Sequence, residues 1–220
     1  LPASIRVGDA DYALWPAQQR IEPLSAPLMG ITHFDDAAAW HPALVATTLA
    51  IEQDPARRTW IFKGGCGMKV RRPDRWALPE SDLVHARALL LAHRVLSNHD
   101  VYTDDCWASV YRRGDYCMPH SHLRANVSIV YMLDEGDADA DDPLAGKLVF
   151  VDPRIPHCCP DEPGRATRVM IPEMTPGTMI VFASDYVHAV NPYRGERPRI
   201  TLSWNITIEP LPGEAGEGWK

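Results

Sequence analysis

The chain has 220 residues, 45% of them hydrophobic and 23% charged, and a formal net charge of -7. That is ordinary globular composition, with enough length for one domain with a full core. An acidic balance without any Lys/Arg block argues against sequence-independent nucleic-acid binding, no apolar run reaches bilayer length, and no signal-peptide pattern opens Leu1-Pro2-Ala3.

Twenty prolines favour short strands and loops over a helical bundle. Short extended pieces are predicted at Ser4–Val7, Tyr12–Trp15 and Leu28–Phe34, separated by Pro- and Gly-bearing turns. Pro42 suits the first turn of a helix running to about Gln53, with Pro55 beyond its end. Trp60-Ile61-Phe62 reads as a strand, and Lys63–Lys69, rich in glycine, as a turn without phosphate-loop spacing. A second helix is predicted from a cap at Ser81 or Asp82 to Leu96, with Val84, Ala88, Leu91 and Val95 on its apolar stripe. His85 and His93 on this helix read as packing or surface residues.

From Cys106 onward the pattern turns to strands: Cys106–Tyr111, Asn126–Leu133, Lys147–Val151, Thr167–Ile171, Met179–Ala183, Tyr186–Val190 and Arg199–Ile208. The expected class is α+β, mainly β, as one domain over 1–220 with helices and supporting strands in 1–100. The acidic run Asp134–Asp142 fails EF-hand spacing, with Asp142 where Gly and Leu148 where Glu are needed, and reads as a solvated connection. The five cysteines (Cys66, Cys106, Cys117, Cys158, Cys159) are odd in number and lack Cys-x-x-Cys, which favours reduced thiols and a cytoplasmic setting.

The chemistry centres on His120-Ser121-His122, at the mouth of the strand Asn126–Leu133. Residues at i and i+2 of an extended chain face the same way, so the two imidazoles can begin a first-row transition-metal site. His188 supplies a third. If Pro192–Gly195 forms a hairpin loop, Asn191 pairs with Glu196 and His188 lies opposite Arg199. A guanidinium there could hold one carboxylate of a dicarboxylate whose other end chelates the metal, with Thr201 adding a hydroxyl from the same strand face.

The stretch from about Trp107 to Asn205 resembles the double-stranded β-helix (jelly-roll, cupin-like) core of 2-oxoglutarate/Fe(II)-dependent oxygenases. It is most similar to a bacterial branch with a His-x-His motif. The matching pieces are Trp107, Gly114, His120-Ser121-His122, Ser128–Tyr131, Gly146–Phe150, Asp152-Pro153-Arg154, Gly177, Phe182, His188 and Arg199–Asn205. The resemblance implies that His120, His122 and His188 bind Fe(II), that Arg199 binds the distal carboxylate of 2-oxoglutarate, and that O2 is the oxidant. The core would span 101–210.

Most of the superfamily has Asp or Glu where His122 stands, so Asp185 or Asp115 remains an alternative ligand with His122 touching substrate. A third imidazole leaves the site one charge more positive. Thr201 and Ser128 are further co-substrate candidates, and Tyr131 is either a core aromatic or a hydroxyl reaching 2-oxoglutarate. Trp107 and Trp204 read as core, and Ile129, where relatives tend to have Gly, as a residue that narrows the pocket. Arg154 reads as a substrate contact or a salt bridge.

The expected activity is oxidation, by default hydroxylation, of a small organic substrate. Arginines in Arg112–Met118 and Pro153–Arg165 hint at a carboxylate-bearing substrate, and a homodimer is compatible with the sequence. Two other readings stand: a cupin-like three-histidine dioxygenase without 2-oxoglutarate, and a non-enzymatic metal- or metabolite-binding module.

Overall fold

The computed structural model describes residues 2–16, 19, 21–25, 29–61, 65–151 and 169–209. Two sheets face one another. The larger is eight-stranded, in the order β3-β4-β13-β10-β15-β8-β7-β5. Its strands are β3 (Glu22–Ser25), β4 (Met29–His33), β5 (Arg58–Trp60), β7 (Met68–Arg71), β8 (Tyr102–Tyr111), β10 (Val127–Asp134), β13 (Thr178–Ala183) and β15 (Arg199–Thr207). The smaller sheet runs β12-β11-β14-β9-β6. It consists of β6 (Gly65–Cys66), β9 (Tyr116–His120), β11 (Leu148–Val151), β12 (Val169–Met170) and β14 (His188–Val190). A separate hairpin pairs β1 (Ser4–Val7) with β2 (Ala10–Ala13).

Alternation explains why the large sheet curves between two environments. In β15, Ile200, Leu202, Trp204 and Ile206 join the main apolar core with Leu83, Leu91 and Val127, whereas Arg199, Thr201 and Ser203 line a cavity on the other face. In β8, Cys106, Ala108 and Val110 join that same core, and Trp107, Ser109 and Tyr111 line the cavity. Period-2 geometry gives each strand these two faces. Helices α1 (His41–Glu52) and α2 (Pro79–Val95) cover the outer face. A second apolar cluster of Met132, Leu148, Phe150, Ile180 and Phe182 packs between the sheets. It closes one end and leaves the other open.

Several expectations are corrected. Pro79 occupies the first turn of α2 with Leu78 before it, so the helix opens ahead of Ser81, whose Oγ donates to Pro73 O at 2.6 Å. Lys69, expected in a turn, is a strand residue of β7 paired with Thr59 and Ser109, and Gly65 does not bend the chain but lets β6 approach β9 so closely that a Cβ there would strike the Tyr116 carbonyl. The hairpin between His188 and Arg199 does not form. β14 pairs with β9 and β11, β15 pairs with β8 and β10, and the segment between them crosses from one sheet to the other. Tyr193 stays buried on that crossing and donates its hydroxyl to Arg197 O at 2.6 Å. The acidic connection is tied to it, with Asp137 Oδ2 accepting from the Glu196 and Arg197 amides at 2.9 and 2.7 Å. Phe62–Gly64, Arg154 within 153–165, and Cys158-Cys159 lie outside the described residues. Cys66, Cys106 and Cys117 are free thiols, and no helix among the described residues is long and apolar enough to cross a membrane.

Two histidines outside the cavity link the core to pH. His85 accepts the Trp204 indole N–H at 2.9 Å, and His41 Nε2 shares a hydrogen bond with the Tyr131 hydroxyl. Burial holds both imidazoles down to about 4 from 6.5. The unfolded chain therefore binds protons that the folded one refuses, and stability is full above pH 6.5 and declines as pH falls toward 4. Each group contributes on the order of 2–3 kcal/mol to that decline. Urea midpoints measured across this window should fall, and His85→Gln, which keeps an acceptor for Trp204, should flatten the slope by about one proton.

Candidate metal centre and its cavity

His120 ends β9, His188 opens β14, and the two residues pair directly across the small sheet. His122 lies two residues past His120 and is pinned by its backbone N–H, which donates to Ser184 O at 2.7 Å. The His pair thus sits on a strand of the small sheet and its exit, not at the mouth of the 127–134 strand. One ring nitrogen from each of His120, His122 and His188 lies within 4.8 Å of the others, a separation one metal ion can bridge.

Protonation and orientation favour ligation. Burial is the main influence and lowers all three, to about 3 for His188 and about 4 for His122, and Lys69 adds cationic repulsion at each. The imidazoles are therefore neutral near neutral pH. His120 Nδ1 faces Met118 O at 2.8 Å and His188 Nδ1 faces Tyr186 O at 2.9 Å. A carbonyl can only accept, so Nδ1 carries the proton in both and Nε2 keeps its lone pair. The Asn205 carboxamide meets Nδ1 of His122 at 3.4 Å and is backed by Ser128 Oγ at 3.0 Å, which in turn meets Ser184 Oγ at 2.9 Å. Here the amide Nδ2 faces the ring and His122 Nδ1 accepts, and only exchange of the amide oxygen and nitrogen, which the Ser128 hydroxyl can satisfy equally, gives His122 the tautomer of the other two.

The triad lines a cavity of about 550 Å³ that also takes in Lys69, Trp107, Tyr111 and Arg199. Arg199 comes from the sheet opposite His188, so the two share a space without sharing a hairpin. Its guanidinium is 3% exposed, its Nη1 has no hydrogen-bond partner, and burial pulls its pKa down. Gly146, at φ +67°, leaves room for its stem, since a Cβ there would sit 3.3 Å from Arg199 Cδ. A buried cation with an unused donor fits a carboxylate. Thr201 stands two residues along the same strand face and lines the same cavity.

Other candidates fall elsewhere. Tyr131 is fully buried with Ile129 in the helix-covered core, its ring stacked 6.0 Å from Trp40, so neither residue reaches or narrows the cavity. Ser128 acts on Asn205 rather than lining the cavity. Asp185 is exposed. Asp115 accepts from Cys66 Sγ and Arg112 N, and neither carboxylate joins the histidine cluster. Arg112 and Arg113 are committed to Glu52 and Glu196. Trp107, expected in the core, forms a cavity wall with its ring 6.0 Å from that of His122. The sequence reading missed Lys69, Arg71, Ser109 and Tyr111, although Met68-Lys69-Val70-Arg71 alternates apolar and polar as a half-covered strand does.

The two-sheet β fold brings three imidazoles and a buried arginine into one cavity, a donor set that suits a metal ion together with a carboxylate-bearing ligand. Residues 105–205 match the family described as "Putative 2OG-Fe(II) oxygenase". No curated protein matches the chain in sequence. Among solved structures it is similar to a prolyl-4-hydroxylase from Pseudomonas putida, with TM-score 0.60, 19% identity and 84% of this chain over 95% of that one. It is also similar to EctD from S. alaskensis in its apo form, with TM-score 0.60, 17% identity and 94% over 91%. AviO1 from Streptomyces viridochromogenes Tue57 gives 0.58, 19% and 83% over 90%. At these identities the three structures bear on the fold alone.

Proposed function

We propose that His120, His122 and His188 hold the Fe(II), that Arg199 and Thr201 hold the distal carboxylate of 2-oxoglutarate, and that the substrate is a small organic molecule hydroxylated at carbon. The observation that carries this reading is one cavity with three neutral imidazoles on one wall, two of them tautomer-fixed by carbonyls, and a buried guanidinium with an unpaired Nη1 on the other. The bound iron would supply O2 activation coupled to decarboxylation of 2-oxoglutarate, so that substrate C–H, O2 and 2-oxoglutarate become C–OH, succinate and CO2. The chain's own part is placement. The carbonyls of Met118 and Tyr186 fix two rings, Asn205 steadies the third, and Arg199 orients the co-substrate along β15 toward them. Val130 and Leu148 line the cavity with apolar surface and help keep water from the reacting centre. The free thiols of Cys66, Cys106 and Cys117 and the acidic net charge support a cytoplasmic setting without a nucleic-acid partner.

The experiment is an anaerobic titration of the Fe(II)-loaded protein with 2-oxoglutarate. A visible metal-to-ligand charge-transfer band is expected, since it requires the keto acid to chelate iron. Tight iron binding without a band would replace this reading with a three-histidine dioxygenase that does not use 2-oxoglutarate. Failure to bind iron would remove the metal centre altogether.

A further inference from the structure

The cavity holds a second cationic station that the co-substrate does not require. Strand pairing arranges its floor in rows. Arg199 pairs with Tyr111, Thr201 with Ser109 and Ser203 with Trp107, while on the next strand Lys69 pairs with Ser109 and Arg71 with Trp107. Arg199 and Thr201 lie on β15, and Lys69 and Arg71 lie two strands away on β7. At about 4.8 Å per strand, this places the second pair roughly 10 Å to the side of the line from Arg199 to the triad.

Lys69 is in an unusual position there. Its Nζ lies 3.9 Å from the centroid of Trp107, and no described residue offers it a hydrogen bond or ion pair. Burial lowers its pKa. The ring face returns less than desolvating an ammonium costs. Arg71, two residues on and on the same face, has its Nε on Thr59 Oγ1 at 3.0 Å and also lines the cavity. Ile61 and the half-exposed Trp60 give this side an apolar rim. Among the described residues Asp105 is the lone carboxylate lining the cavity, and it lies on β8 beyond Trp107.

We infer that Lys69, assisted by Arg71, is the specificity residue for a primary substrate that carries a carboxylate, with the substrate's hydrocarbon part against Trp60 and Ile61. This rests on the oxygenase reading above and adds the chemical class of what is oxidised. With Arg199 occupied by 2-oxoglutarate, an unpaired ammonium beside the triad selects a second anion and places its carboxylate to one side of the iron. The carbons next to that group are then brought to the reacting centre.

The test loads the protein anaerobically with Fe(II) and 2-oxoglutarate, so that Arg199 is occupied. Acid and amide pairs (3-phenylpropanoate with 3-phenylpropanamide, hexanoate with hexanamide) are then titrated by calorimetry. At least one acid should bind about tenfold or more tighter than its amide. Lys69→Met, which keeps the stem over Trp107, should erase that preference, leave 2-oxoglutarate affinity within about threefold, and not lower thermal stability. Equal binding of acids and amides, or no binding by any of them, overturns the inference. A large loss of 2-oxoglutarate affinity in Lys69→Met overturns it too and assigns the lysine to the co-substrate. A drop in thermal stability makes Lys69 a structural partner of Trp107 instead. Failure of the unaltered protein to take up 2-oxoglutarate is a different result, since it removes the oxygenase reading beneath the inference.

Discussion

Replacing Arg199 with Ala should raise the 2-oxoglutarate concentration needed for half-saturation by at least about 100-fold while leaving Fe(II) affinity nearly unchanged. The guanidinium is buried at 3% exposure with Nη1 unpaired, so a bound carboxylate would meet it in a water-poor site. Removing one partner of such a pair costs roughly 3–5 kcal/mol, which is two to three or more powers of ten in affinity. Arg199→Lys should fall between, because an ammonium keeps the charge and loses the planar two-point contact. Calorimetry with 2-oxoglutarate on the metal-loaded protein reads the effect directly. If Arg199→Ala binds 2-oxoglutarate as the unaltered chain does, the distal carboxylate rests elsewhere and the proposed co-substrate site is wrong.

The second large effect is expected at His188. It is the most strongly depressed of the three imidazoles, at about 3, and lies against Phe150 and Phe182 with ring centroids 5.9 and 4.8 Å away. Groups that merely orient a metal ligand are worth about 10–100-fold in affinity, and deleting the ligand itself should exceed that. His188→Ala should therefore lose more than about 100-fold in Fe(II) binding and in succinate formation. Far-UV circular dichroism should be unchanged, because the backbone of β14 still pairs with β9 and β11. Undiminished iron binding in this variant would show that the histidine cluster is not the metal centre.

These two residues also show how far the sequence reaches. Each was found from its local setting: His188 on a short apolar strand, Arg199 at the head of a strongly alternating one. Their relation was drawn wrongly. Pro192–Gly195 has the composition of a hairpin loop, yet Tyr193 is 2% exposed and ties this crossing to the acidic connection, so the strands on either side enter different sheets. Tyr131 should have been readable, since it is in phase with Val127, Ile129 and Leu133, all of which face the helices. Its hydroxyl drew attention to the wrong face. Lys69 was hidden by neighbouring glycines, whose purpose at Gly65 is close approach of a strand and not a bend.

By itself the sequence determined most of the strands, their alternation and the residue types at the centre. Strand alternation and the spacing of a His-x-His motif are written within a few residues of chain. Tertiary structure alone decided which sheet each strand joins, that His188 pairs with His120, that His122 joins the histidine cluster while Asp185 stays exposed, and that Lys69 shares the cavity. Those are contacts between segments tens of residues apart. They are set by register and by the packing of two sheets, for which no single stretch of sequence carries the pattern.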